Sequence, residues 1–153
     1  MPTDLVTRQA SLDLGGRTVE LLPLAPGHTD NDLVVHVPDV RAWVVGDVLE
    51  ESGPPVYGSG CFPLHWPDSL AGLLAQVGPD DVVVPGHGSP VTRQFGLAQL
   101  AQLEAVAARI QAVHAAGATV DQTLSAQTGW PFPVDALGLA LSRGFTHLDS
   151  SPS

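Results

Sequence analysis

Short β-prone runs rich in Val and Leu fill the first third of the chain, and apolar positions recur every three or four residues over the last third. The runs ASLDL and RTVELLPL flank Gly15 and Gly16, a pair that tolerates positive φ, which predicts a two-residue hairpin. DLVVHV and AWVVGD lie on either side of residues 38–41, where Pro38 and Asp39 favour a turn and predict a second hairpin. Residues 48–66 mix Gly, Pro and Ser with no period, a loop long enough to invite a functional explanation. Pro67 and Asp68 then open an apolar helical pattern that stops at Gly78. Val82, Val83 and Val84 read as a brief buried strand running into a Gly-rich turn. From Thr92 to His114, the positions of Leu97, Leu100, Leu103, Val106, Ala107, Ile110 and Val113 predict the longest helix. Residues 120–127 and 134–143 predict two shorter helices on either side of GWPFP. The order of strands, long loop, helix, strand and helices places the chain in the α/β class. It reads as one domain over residues 1–148 with a polar tail at 149–153, and contains no internal repeat.

Composition narrows this picture. A length of 153 residues suits one domain with a sizeable core, and 44% apolar against 14% charged residues describes an ordinary globular protein. Sixteen Asp and Glu stand against six Arg, with a formal net charge of -10. Such a chain repels phosphate backbones and anionic lipid, which argues against nucleic-acid and membrane partners. The single cysteine, Cys61, has no internal disulfide partner, and a reducing compartment is the simpler expectation. The first sixteen residues lack a basic segment followed by an apolar one, and no apolar run reaches spanning length, so a cytoplasmic location is expected.

Three segments share one design. LLPLAPGHT, AWVVGD and DVVVPGHG each run from a β-prone stretch through Gly into a single ligand-type side chain, namely His28, Asp47 and His87. A Gly before the ligand is expected to let the backbone turn sharply, and strands ending on one sheet edge present such residues as neighbours. A His in a loop is commonly a hydrogen-bonded turn residue, and Gly-Asp is a common turn dipeptide. The threefold recurrence of the pattern favours metal binding. Two imidazoles and a carboxylate suit zinc, and less specifically iron or manganese. Of the other histidines, His36, His114 and His147 stand alone in the sequence, whereas His65 sits in the long loop as a candidate pocket residue. Cys61, Phe62 and Trp66 are candidates for the same pocket, although Cys61 has no adjacent base to make it a nucleophile.

GHTDND, VVGDVLEESGPP and VVPGHG, in this order and at these separations, resemble the C-terminal half of a metallo-β-lactamase-fold metallohydrolase, over roughly Leu12 to Leu148. The resemblance implies half of a four-layer αββα sandwich, a mixed sheet with helices on one face. It implies that His28 ligates a first metal, His87 a second, and that Asp47 bridges the two. It also implies hydrolysis of a small-molecule ester, thioester, lactam, phosphodiester or related bond by metal-activated water. The family's H-x-H-x-D-H signature is absent from the sequence, so a truncated form with weak or no activity is expected from this chain alone, holding one ion weakly, or two if the missing half is supplied. A non-enzymatic dimerisation module and one half of a split hydrolase are the alternatives. The sheet face that the missing half normally covers is expected to be bare, with Val34, Val45 and their neighbours as candidates for it, and to be covered by a homodimer or a complementing chain.

Overall fold

A computed structural model describes residues 5–150; the first four residues, and the last three of the expected polar tail, lie outside the described residues. Five strands form one sheet in the order β1-β2-β3-β4-β5. They are β1 Ala10–Asp13, β2 Thr18–Pro23, β3 Leu33–Val37, β4 Ala42–Gly46 and β5 Val82–Pro85. Neighbours are antiparallel except β4 and β5, which run parallel, so the sheet is mixed as expected. The β1–β2 hairpin turns at Gly15 and Gly16, both at positive φ, and Asp13 accepts the amide N–H of each. The second turn is a short 3-10 helix, Pro38–Val40, closed by Arg41 in the left-handed region.

Four helices follow: α1 Trp66–Leu74, α2 Arg93–Ala115, α3 Val120–Ala126 and α4 Gly138–Ser150. Helix α1 ends four residues before Gly78, because Gly78 belongs to a separate turn in which its N–H donates to Asp81 Oδ2 at 2.8 Å. Helix α4 is longer than the sequence suggests: Asp149 and Ser150, expected in the tail, complete its last turn, and the Ser150 hydroxyl donates back to the Thr146 carbonyl. The helices approach one another through glycine. A Cβ on Gly96 of α2 would sit 2.7 Å from Leu74 of α1, and one on Gly144 of α4 would sit 2.7 Å from Ile110 of α2.

Because side chains alternate along a strand, one sheet face packs and the other does not. Leu22, Val34, Trp43, Val45 and Val83 join Trp66, Leu70, Leu103, Ile110 and Leu141 in a single core. The cross-strand row Leu21, Val35, Val44 and Val84 lies on the opposite face, where Val44 is 43% exposed, as are Leu33, Val82 and Leu12 to similar degrees. The expectation that Val34 and Val45 lie on a bare face is therefore corrected: both are buried at 0% and 2%. The apolar face exists, one residue out of step with the expected positions, since a shift of one reverses every side chain.

The row next to it carries polar partners into the packed side. His36 donates to Glu20 at 2.8 Å and stacks on Trp43 with ring centroids 3.8 Å apart. Trp43 Nε1 donates to Asp81 at 2.8 Å. That bond, with the Gly78 amide and the nearby Arg41 guanidinium, outweighs the effect of burial and holds the Asp81 carboxyl below its ordinary range.

Candidate functional site

The loops that follow β2, β4 and β5 meet at one edge of the sheet. His28 lies five residues past the end of β2, in a turn built by two side chains. Asp32 accepts the Thr29 amide and hydroxyl, each at 2.8 Å, and also the His28 Nδ1–H at 3.1 Å. Thr29 accepts in turn from the Asn31 amide. The carboxylate that shapes this turn is thus Asp32; Asp30 makes no such bond among the described residues. Sequence reasoning missed Asp32, although an acid four residues after a loop histidine is a readable signal for an orienting partner.

His28 Nδ1 is occupied by Asp32, which turns Nε2 toward Asp47 Oδ2 at 3.9 Å. His87 Nε2 approaches the other oxygen of the same carboxylate, Asp47 Oδ1, at 3.5 Å. The structure therefore brings together the three residues singled out from the sequence. Their exposure is graded: the side chains of His28, Asp47 and His87 are 20%, 45% and 64% exposed. The buried side of His28 faces Trp66, with ring centroids 5.5 Å apart, and Trp66 Nε1 donates to the Val48 carbonyl. Glu51 approaches from the same loop as Asp47 and accepts the Ser89 amide at 2.8 Å, while its own amide donates to the His87 carbonyl. These bonds tie the Asp47 and His87 loops together.

The glycines that precede the three residues do not share one role. Only Gly46 sits at positive φ, +60°, the sharp turn expected of all three. Gly27 is needed for proximity: a Cβ there would lie 3.3 Å from Ser69 and 3.4 Å from the Trp66 backbone. Gly86 is needed to make room for Asp47, because a Cβ there would overlap Asp47 Oδ1 and lie 2.8 Å from the Asp47 amide nitrogen.

Among the described residues, no group of three or more His, Cys, Asp or Glu side chains is gathered closely enough to hold a metal ion as it stands. The remaining histidines fall into two classes. His36 and His114 are satisfied by carboxylates, Glu20 and Asp149, each at 2.8 Å. His65 and His147, 82 positions apart in the chain, come together with ring centroids 4.7 Å apart. Cys61, Phe62 and His65 line a cavity as expected of the long loop, but Trp66 does not; it is fully buried in the core. Burial pushes the Cys61 thiol up to about 11 despite the neighbouring Arg143, so it is protonated at neutral pH and is no nucleophile. No helix among the described residues is long and apolar enough to cross a membrane.

No family model and no curated protein matches the chain. Solved structures do. The chain is similar to a metallo-β-lactamase from Pontibacter korlensis, at 22% identity and a TM-score of 0.61, covering 68% of this chain and 49% of that one. It is similar to TMB-1, whose substrate and inhibitor binding has been described structurally, at 28% identity and a TM-score of 0.54, covering 63% of this chain and 44% of that one. It is also similar to a stereoselective inverting sec-alkylsulfatase from Pseudomonas sp., at 14% identity and a TM-score of 0.76, covering 96% of this chain and 26% of that one. The chain spans about half the length of the Pontibacter protein (49%). With its five-stranded mixed sheet and four helices, the chain has the architecture of part of the metallo-β-lactamase fold.

Proposed function

We propose that this chain is the metal-holding portion of a hydrolase of the metallo-β-lactamase fold acting on a small-molecule substrate, with His28, Asp47 and His87 as metal ligands and zinc as the ion. The observation that carries the reading is the convergence of both imidazoles on one carboxylate. Two ligands bound at ~2.1 Å with tetrahedral angles lie ~3.4 Å apart, close to the His87–Asp47 and His28–Asp47 separations of 3.5 and 3.9 Å. The two rings face different oxygens of Asp47, an arrangement suited to a carboxylate shared between two ions. Zinc fits this borderline N/O set, and iron or manganese accept the same donors.

A divalent ion held there would supply Lewis acidity and an activated water. The chain's own part is positional. Asp32 takes the His28 Nδ1–H and so fixes the tautomer that leaves an Nε2 lone pair for a ligand. Gly46 and Gly86 let Asp47 stand between the two imidazoles, and Trp66 keeps solvent from one side of His28. Each His–Asp47 pair offers two donors where catalytic zinc takes three protein ligands, so this chain alone binds weakly and turns over slowly. The test is hydrolysis of a panel of activated esters, thioesters and phosphodiesters by the zinc-supplemented chain. Slow turnover abolished by chelation and by His28→Ala supports the reading; hydrolysis indifferent to both contradicts it.

The apolar row Leu21, Val35, Val44 and Val84, with Val44 exposed and the others half-buried, favours a second element of this reading. A covering partner, either another copy of this chain or a complementing chain that supplies further ligands, buries that face; a dimerisation module without activity uses the same surface. Sedimentation of the chain alone is expected to show self-association that Val44→Asp weakens. A concentration-independent monomer contradicts the homodimer.

A further inference from the structure

The histidine pair that the candidate metal centre does not use lies in a cavity of about 170 Å³ between the loop at residues 61–65 and α4, far above the ~15 Å³ that one water needs. Phe62, His65, Arg143, Thr146, His147 and Ser150 contribute to its wall. The lining holds one of the six Arg and two of the six His, and none of the sixteen Asp and Glu, in a chain of net charge -10. The described lining therefore brings no carboxylate of its own to repel an anion.

The cation in this cavity is held in place. Arg143 Nε donates to the Cys61 carbonyl at 3.0 Å, and its guanidinium lies over the Phe62 ring, 5.4 Å from the centroid. Both contacts leave the two terminal Nη groups without a hydrogen-bond partner among the described residues. A planar fork with its Nε anchored and its ends open is the geometry that recognises carboxylate, phosphate and sulfate oxygens. His65 stands edge to face against His147, 4.7 Å between centroids, and an imidazole N–H of His65 is a further donor for an oxyanion. The Thr146 and Ser150 hydroxyls spend their protons on helix carbonyls. A metal ion is disfavoured on the same ground, since the fixed Arg143 charge opposes a second cation.

We propose that this cavity is a binding site for a small oxyanion, a phosphate or sulfate group or a carboxylate, with Arg143 as its principal contact and His65 as a flanking donor. The site shares no lining residue with the candidate metal centre and does not depend on that reading.

The test follows the histidine ring signals of the full chain by NMR during titration with inorganic phosphate, sulfate and acetate at fixed pH and ionic strength. Saturable shifts are expected at His65 and His147, unmatched at His36 and His114, and retained in His87→Ala. Saturation by the tetrahedral ions but not by acetate assigns a phosphate or sulfate ester; the opposite assigns a carboxylate. Arg143→Gln is expected to lower the affinity by about 10- to 100-fold. Because Arg143 also ties the loop to α4, a His65→Gln variant read by calorimetry provides a second route, and weakened binding is expected there as well. Shifts that stay linear and equal across the histidines, or an affinity unchanged in the folded variants, overturn the proposal.

Discussion

Two pairs of histidines on this chain meet opposite surroundings. His28 and His87 flank a carboxylate, Asp47, and a second carboxylate holds His28 from behind. The cavity that His65 and His147 line has no Asp or Glu among its described lining residues and holds an anchored guanidinium. Under the two proposals, the same type of side chain serves a cation in one place and an anion in the other. What decides between them is the charge within a few ångströms, where Coulomb energies are large and salt screens them least, and not the net charge of -10.

Substitutions sharpen the contrast according to which pair they reach. Trp66→Ala is expected to have the largest effect. Its ring is fully buried, abuts His28 and Tyr57, and bonds Val48, while its backbone amide donates to Phe62 in the cavity loop. A loss of about 3–5 kcal/mol in urea unfolding is expected, with both pairs disturbed. Gly86→Ala acts on one pair only. Its Cβ displaces Asp47, and competition titration is expected to show zinc affinity falling by about 100-fold with phosphate binding unchanged. Asp32→Ala releases the His28 ring and is expected to cost about tenfold in the same titration, within the range seen for partners that orient ligands. A response of phosphate binding to either substitution would mean that the two pairs are one site.

Asp81 is the control, a carboxylate engaged away from both pairs. An asparagine oxygen still accepts from Trp43 and Gly78, so Asp81→Asn loses only charge assistance, about 0.5–1 kcal/mol. Its carboxyl is held below its ordinary value of 3.8, so its contribution is complete above that pH and is lost as the pH falls through the lower folded value. Thermal melts over that range are expected to show the wild-type advantage shrinking toward the variant, and an advantage that persists at the acid end would be the contrary result.

Much of the fold was legible because local chemistry decided it. Gly15-Gly16 made a hairpin, the Leu97 to Val113 spacing made α2, and three strand-Gly-ligand segments brought His28, Asp47 and His87 together. The outer apolar face was foreseen around Val34 and Val45 and falls on their neighbours Val35 and Val44, because an almost unbroken run of valines carries no alternation to say which parity faces the helices. Helix α4 ran past Arg143 to Ser150, where polar residues on a helical turn look like a tail. The Arg143 cavity was only half visible. His65 was readable in its loop, but its neighbours Arg143 and His147 arrive from α4, whose place is set by tertiary packing of Ala140, Leu141 and Gly144.

The central claim is that His28, Asp47 and His87 hold a metal ion, and the most direct test is the zinc content of the chain after dialysis against buffered free zinc, set beside Asp47→Ala treated identically. Zinc retained by the wild type and lost from a folded Asp47→Ala is the predicted result. Equal zinc in the two proteins, or none in either across the buffered range, would contradict it.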